Sequence, residues 1–216
     1  MVKQNQPTQS GFTLVELAIV LVIIGLILGM AFKGKDLIDG AKVKSIATQY
    51  NKIQAAFNIY FERYGAYPGD GCGLITLGQA FVPCAGAKNG LLNTAQEANA
   101  AIILLQNANL LSAADVQSPF GVPWAVSVST SAFFPPAGTN YLSFTTAAAV
   151  PLTAAAAVAD SRFVCALDRL IDNGDSGAAA AAAGTTVRST TAPLYTNATD
   201  CWARTGTVNV GLRLLP

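Results

Sequence analysis

Residues 12–32 read FTLVELAIVLVIIGLILGMAF, 21 positions with one charge, Glu16, and one hydroxyl, Thr13. As a helix rising about 1.5 Å per residue, such a run covers roughly 31 Å, close to the hydrocarbon thickness of a bilayer. A membrane-spanning helix is therefore the first expectation. A cleavable secretory signal usually has a shorter apolar core, about 7–15 residues, before a small-residue site. Gly29-Met30-Ala31 offers only a poor version of such a site, so a secreted soluble product is the second reading. The 216 residues leave room for one ordinary domain beyond this segment. Over the whole chain 52% of residues are hydrophobic and 12% charged. That charged share is about half of what soluble domains carry, as expected if part of the chain avoids water.

Glu16 is the informative position within the run. A carboxylate in a membrane segment costs on the order of 2–3 kcal/mol near the bilayer centre and less near an interface. Either it reaches back to headgroup water, or it meets a positive charge supplied by another subunit in an assembly that excludes water.

Histidine is absent from the chain. This removes the commonest general base and metal ligand, and with it Ser-His and Cys-His nucleophilic chemistry. No paired carboxylates, Gly-rich phosphate loop or nucleophile elbow stands in for it. A formal charge of +1 gives no global field to attract nucleic acid. Cys72, Cys84, Cys165 and Cys201 all follow the apolar run, and none forms a C-x-x-C pair, so disulfides suit them better than zinc. Four cysteines allow three pairings, and the sequence does not strictly choose. Closure of the nearest neighbours favours Cys72 with Cys84 and Cys165 with Cys201.

The segment Gly11-Phe12-Thr13-Leu14-Val15-Glu16-Leu17 resembles the cleavage and methylation signature of type IV prepilins and type II secretion pseudopilins. That resemblance implies a prepilin peptidase cutting between Gly11 and Phe12, N-methylation of the new Phe12 amine, and a leader of residues 1–11. The leader MVKQNQPTQSG is short and polar, and Pro7 and Ser10-Gly11 discourage helix before the cut. By the same resemblance the Phe12 amine pairs with the Glu16 carboxylate of a neighbouring subunit, although Glu16 lies one turn above Phe12 and a contact within one chain is open too. The implied partners are further copies of the chain, other pilins, the peptidase and methyltransferase, and the inner membrane before assembly; no nucleic acid is expected. The head would sit in the periplasm and the mature chain in an extracellular or periplasmic filament, where the cysteines can oxidise. Lys33, Lys35, Lys42 and Lys44 against Lys3 argue mildly for the reverse orientation by the positive-inside rule.

Beyond the apolar run, Ile46, Tyr50, Ile53, Phe57, Tyr60, Phe61 and Tyr64 recur at steps of three and four, the stripe of an amphipathic helix. No proline interrupts residues 12–64, which predicts one helix of roughly 80 Å. Its apolar half would be bare and its second half packed on a globular head, the ladle of a pilin. Many members of the resembled family have a proline just after the apolar run; here Gly25, Gly29, Gly34 and Gly40 are spread through that stretch. The helix should stop at Gly65, and Tyr67-Pro68-Gly69-Asp70 suits a type II turn. Residues 33–44 and 63–70 are also similar to one branch of prepilin-like proteins. The expected organisation is a leader over 1–11, a membrane and polymerisation helix over 12–32, an amphipathic helix over 33–64, and a head over 65–216.

Within the head, Thr94-Ala95-Gln96-Glu97 reads as a capping box opening a helix that ends near Asn109, with Ala98, Ala101, Ile102 and Leu105 on one face. A second helix is indicated by Phe163, Val164, Leu167, Leu170 and Ile171, with Asn173-Gly174 as its stop. Strand signals fall at 124–129, 141–146 and, as a clean alternation, at Val208, Val210, Leu212 and Leu214. Helices and strands in separate blocks imply an α+β head with a small antiparallel sheet. The Pro-rich 134–136 and Ala-rich 178–183 stretches read as surface loops. Asp168, Asp172 and Asp175 are a weak calcium candidate; their spacing is not that of an EF-hand, and a solvated acidic face or turn cap is the better reading. No other metal or cofactor is expected. The favoured function is a structural, non-catalytic subunit; an anchored enzyme and a periplasmic ligand-binding module are the rivals.

Overall fold

The computed structural model describes residues 11–79, 84–129, 138–144, 158–172, 186–189 and 200–214, with the backbone alone at 32, 188 and 189. Helix α1 spans Leu14–Tyr64. Its first backbone bond runs from Leu17 N–H to the Thr13 carbonyl, and its end is closed by Gly65 N–H donating to the Phe61 carbonyl at 2.8 Å. Gly65 has φ +69°, the left-handed geometry of a helix C-terminus that a side chain disfavours, so the helix stops where glycine stands.

The chain forms two compact units, Met1–Gly40 and Ala41–Pro216. In the first, the large apolar side chains of α1 between Leu14 and Met30 are 47% exposed at Ile24 and up to 90% exposed at Leu14. This stretch is the one described helix long and apolar enough to cross a membrane, and none of its window is covered by protein. A core helix of a soluble domain would be buried.

In the second unit, α1 buries Val43, Ile46, Tyr50, Ile53, Ala56, Phe57 and Tyr60, a stripe at helical spacing. Phe61 and Tyr64, expected on that stripe, lie at its edge and remain 42% exposed each. The stripe packs in one core with residues of a five-stranded antiparallel sheet. Its strands are β1 (Ala125–Val128), β2 (Asn140–Ser143), β3 (Val158–Asp160), β4 (Val187–Ser189) and β5 (Thr207–Arg213). The path runs β1-β2-β5-β3, and β4 also pairs with β5, so β5 is the hub that joins three other strands. The alternation read in the sequence fits this role, since Val208, Val210, Leu212 and Leu214 are all buried. Strands β3 and β4 were not anticipated; at three residues each they are too short to display a period of two.

Polar side chains tie α1 to this core. The Tyr50 hydroxyl donates to the Arg213 carbonyl at 2.6 Å. Gln49 accepts from the indole N–H of buried Trp124 at 3.0 Å and donates to the Gln117 carbonyl at 3.0 Å. A buried indole thereby keeps its hydrogen bond.

Helix α2 (Ala95–Asn107) opens on the expected capping box. Its buried stripe is Glu97, Ala100, Ala101, Leu104 and Leu105; Ala98 and Ile102, assigned to that face from the sequence, are half-buried. The burial of Glu97 explains the rotation. Its carboxylate collects backbone N–H groups of Gly71 (3.1 Å), Asn93 (3.0 Å) and Thr94 (3.0 Å), and so must face inward. The turn after α1 presses on the same place. Asp70 N–H donates to the Tyr67 carbonyl at 3.2 Å and Gly69 has φ +91°, the geometry of a type II turn. A Cβ on Gly69 would collide with the Glu97 carbonyl and stand 2.9 Å from Ala101 N.

Helix α3 (Ser161–Ile171) is capped by Asp160, which accepts from Arg162 N–H at 2.9 Å. It buries Phe163, Val164, Cys165, Leu167 and Asp168, whereas Leu170 points out and is 50% exposed. The expected stop at Asn173-Gly174 and the loops at 134–136 and 178–183 lie outside the described residues.

Candidate functional site

The segment where α1 begins carries the chemistry. Thr13 stands at the N-cap, and its hydroxyl accepts from Glu16 N–H at 3.3 Å. Glu16 returns the bond: its Oε2 accepts from Thr13 N–H at 2.9 Å and from the Thr13 hydroxyl at 2.8 Å. This is a reciprocal capping box, the threonine serving a donor in the first turn and the glutamate serving the donor of the cap residue. A carboxylate in the first turn also opposes the positive end of the helix dipole.

Three consequences follow. First, the acid has an electrostatic reason to stand at this end of an otherwise apolar helix. Second, Oε1 takes no hydrogen bond among the described residues, so it is open to an incoming cation. Third, within the intact chain Glu16 is engaged by Thr13, two positions from the Gly11–Phe12 peptide bond. Gly11 and Phe12 are exposed and non-helical, Phe12 at 89%. The bond between them is therefore reachable without unwinding α1. Residues 1–10, the remainder of the expected leader, lie outside the described residues. Sequence reasoning missed Thr13, although Thr13-x-x-Glu16 ahead of an apolar run is itself the capping-box signal.

Away from this segment, Cys72 is bonded to Cys84 and Cys165 to Cys201, leaving no described cysteine free. The Cys165–Cys201 bond is buried between α3 and the chain leading into β5. Two of the three aspartates of the calcium candidate, Asp168 and Asp172, are described. Asp168 is fully buried on α3, which corrects the solvated face read from the sequence. The Asp172 carboxylate accepts from Val187 N–H at 2.6 Å, tying α3 to β4, and Asp175 lies outside the described residues. Among the described residues no group of His, Cys, Asp or Glu is arranged to hold a metal.

A capped, acid-bearing apolar helix left bare at its N-terminal end, ahead of a disulfide-linked α+β unit, fits the class of membrane-anchored precursors. Residues 7–32 match the family model described as the prokaryotic N-terminal methylation motif, the signature of type IV prepilins and pseudopilins. Proteins with this signature are structural rather than catalytic, and the motif implies processing by a prepilin peptidase and assembly with other pilins. No match was found among curated proteins or among solved structures.

Proposed function

We propose that this chain is a subunit of a type IV pilus or pilus-like filament, cut after Gly11, N-methylated at Phe12, and polymerised through α1. The observation that carries the reading is the position of Glu16: one carboxylate, with an open oxygen, at the capped start of an uncovered apolar helix inside the methylation motif. Cutting the Gly11–Phe12 bond creates an α-amino group that is protonated at neutral pH. In lipid an isolated carboxylate and an isolated ammonium are each costly, and bringing them together offsets part of both penalties. Pairing Glu16 with the Phe12 amine of an adjacent copy therefore sets the register of stacking and draws helices out of the bilayer. Residues 12–32 serve as the polymerisation helix, 33–64 lead into the head, and 65–216 form the surface-facing head.

A pseudopilin of a type II secretion system would share this mechanism. Two disulfides favour a head that works in an oxidising space, periplasmic or extracellular, which suits both. Mass spectrometry of the mature N-terminus tests the class: a methylated Phe12 is expected, and an intact Met1 or a start near residue 32 sinks it. Glu16→Gln should abolish or slow filament recovery by shearing while leaving the cut in place. Abundance of the wild-type chain in sheared surface filaments separates a pilus subunit from a pseudopilin.

A further inference from the structure

The C-terminal end of α1 and the turn that follows enclose a concave site of about 320 Å³. Tyr60, Tyr64 and Tyr67 form its walls, and Arg63, Lys88 and Asp70 bring charge to it. Nothing in the assembly mechanism uses this site. It stands at the far end of α1 from Glu16 in sequence, and it is stiffened by the Cys72–Cys84 bond, whose Cys84 lines it.

The charges are unequal in availability. Asp70 is buried, with Oδ1 accepting from Asn89 N–H at 3.1 Å and Oδ2 from Gly90 N–H at 2.9 Å, so its carboxylate is committed to the protein. Arg63 and Lys88 are exposed, and among the described residues neither has an ion-pair partner. The site therefore presents two free cations, one of them a guanidinium suited to bidentate contact with a carboxylate. The tyrosines supply flat apolar surface with polar rims. The Tyr60 and Tyr64 rings stand 4.4 Å apart, and Tyr64 is 42% exposed, offering a face for a ring-shaped ligand. The last carbonyls of a helix lack intrahelical donors, which suits a ligand rich in hydroxyls. The same helix end disfavours negative charge, a phosphate dianion about twice as strongly as a single carboxylate, whose charge Arg63 and Lys88 can offset. The volume is at the small end of ligand pockets, about 300–1,000 Å³, and accommodates one or two rings rather than a polymer groove.

From this combination we propose that the pocket binds a carboxylated sugar: a pyranose ring lies against Tyr64, its carboxylate meets Arg63 and Lys88, and its hydroxyls reach the end of α1. The site would give the chain a preference for uronic-acid polysaccharide, and this does not rest on the assembly reading.

The test uses the full chain with both disulfides intact, in a zwitterionic detergent without a sugar headgroup. Titration with tri-galacturonate, followed by calorimetry and by saturation-transfer NMR, should give binding at millimolar or tighter affinity. Maltotriose, the neutral control, should bind about tenfold more weakly or worse, as loss of a charge-assisted contact implies. Arg63→Gln with Lys88→Gln should weaken tri-galacturonate by about tenfold or more, without a change in melting temperature because both side chains are exposed. Tyr64→Leu, a second exposed position, should weaken it as well. Absence of binding, equal binding of maltotriose, unchanged affinity in the charge variant, or tighter binding of a thymidine dinucleotide each overturns the proposal. A chain that assembles but does not bind refutes this site alone; one that binds but is not cut at Gly11 refutes the filament reading alone.

Discussion

Glu97→Ala is the substitution by which the architecture of the head is most directly tested. The Glu97 side chain is 7% exposed on average over the residue and accepts three backbone N–H groups, from Gly71, Asn93 and Thr94. It thus holds the first turn of α2 and the chain leaving the Pro68-Gly69 turn at once. Hydrogen bonds to a charged acceptor contribute about 1.5–3 kcal/mol each when their donors stay dry, but Asn93 and Thr94 are exposed and water replaces the carboxylate there. Adding about 1 kcal/mol for the lost capping interaction, the net loss is about 3 kcal/mol. For a unit in the 150–250-residue class, each kcal/mol lowers the melting temperature by about 2–4 °C, so a drop of about 6–12 °C is expected. The assay is thermal unfolding by circular dichroism of the full chain in micelles. Glu97→Gln, which keeps the shape and one carbonyl acceptor, should fall roughly midway. If Glu97→Ala melts within about 2 °C of the parent, the carboxylate is not the tie between these segments and the account is wrong.

Tyr50→Phe removes the hydrogen bond to the Arg213 carbonyl and should cost about 1–2 kcal/mol in urea unfolding. Burial, chiefly, pushes the Tyr50 phenol from 10.0 up to about 12, so the stability it contributes is complete below pH 10.0 and disappears as pH rises toward about 12. A Phe variant should lack that alkaline segment, and identical alkaline profiles would refute the assignment. Asp115 runs the opposite way. The Lys52 hydrogen bond, with help from Ser112, holds its carboxyl at about 2 instead of 3.8, so the stabilisation is present above the ordinary value and lost as pH falls through about 2. Asp115→Asn should flatten acid unfolding in that window by no more than about 1 kcal/mol, the pair being partly solvated; a larger or opposite change contradicts it. Replacing Cys165 and Cys201 together by serine opens a loop of sequence separation 36 and should cost about 3–4 kcal/mol on loop-entropy grounds, read as a lower urea midpoint. An unchanged midpoint would show that the bond carries no stability.

Long-period signals were the ones the sequence displayed well. The apolar run with its single acid, the stripe from Ile46 to Tyr60, the glycine stop at 65 and the alternation of Val208 to Leu214 each repeat one physical demand several times over, and the fold follows them. Short pieces were not legible. Strands β3 and β4 exist because β5 offers them partners, a property of the assembled sheet rather than of three residues. Asp168 and Glu97 look like surface acids by type, yet both are buried, Glu97 because the N–H of distant Gly71 joins those of Asn93 and Thr94 on its carboxylate. Thr13 is a different case: a lone hydroxyl in an apolar run signals a cap only when paired with the acid three residues on, and the two make one motif.

That motif bears on what happens when a chain of this kind is processed. The capping residue is Thr13 and the scissile bond of the proposed cut precedes Phe12, so every donor and acceptor that starts α1 belongs to the retained product. Proteolysis would remove a tail and add a charge without fraying the rod. The new ammonium would arise near an acid already oriented and half occupied, so under the proposed assembly a subunit would enter the filament preorganised, with no refolding step between severance and docking.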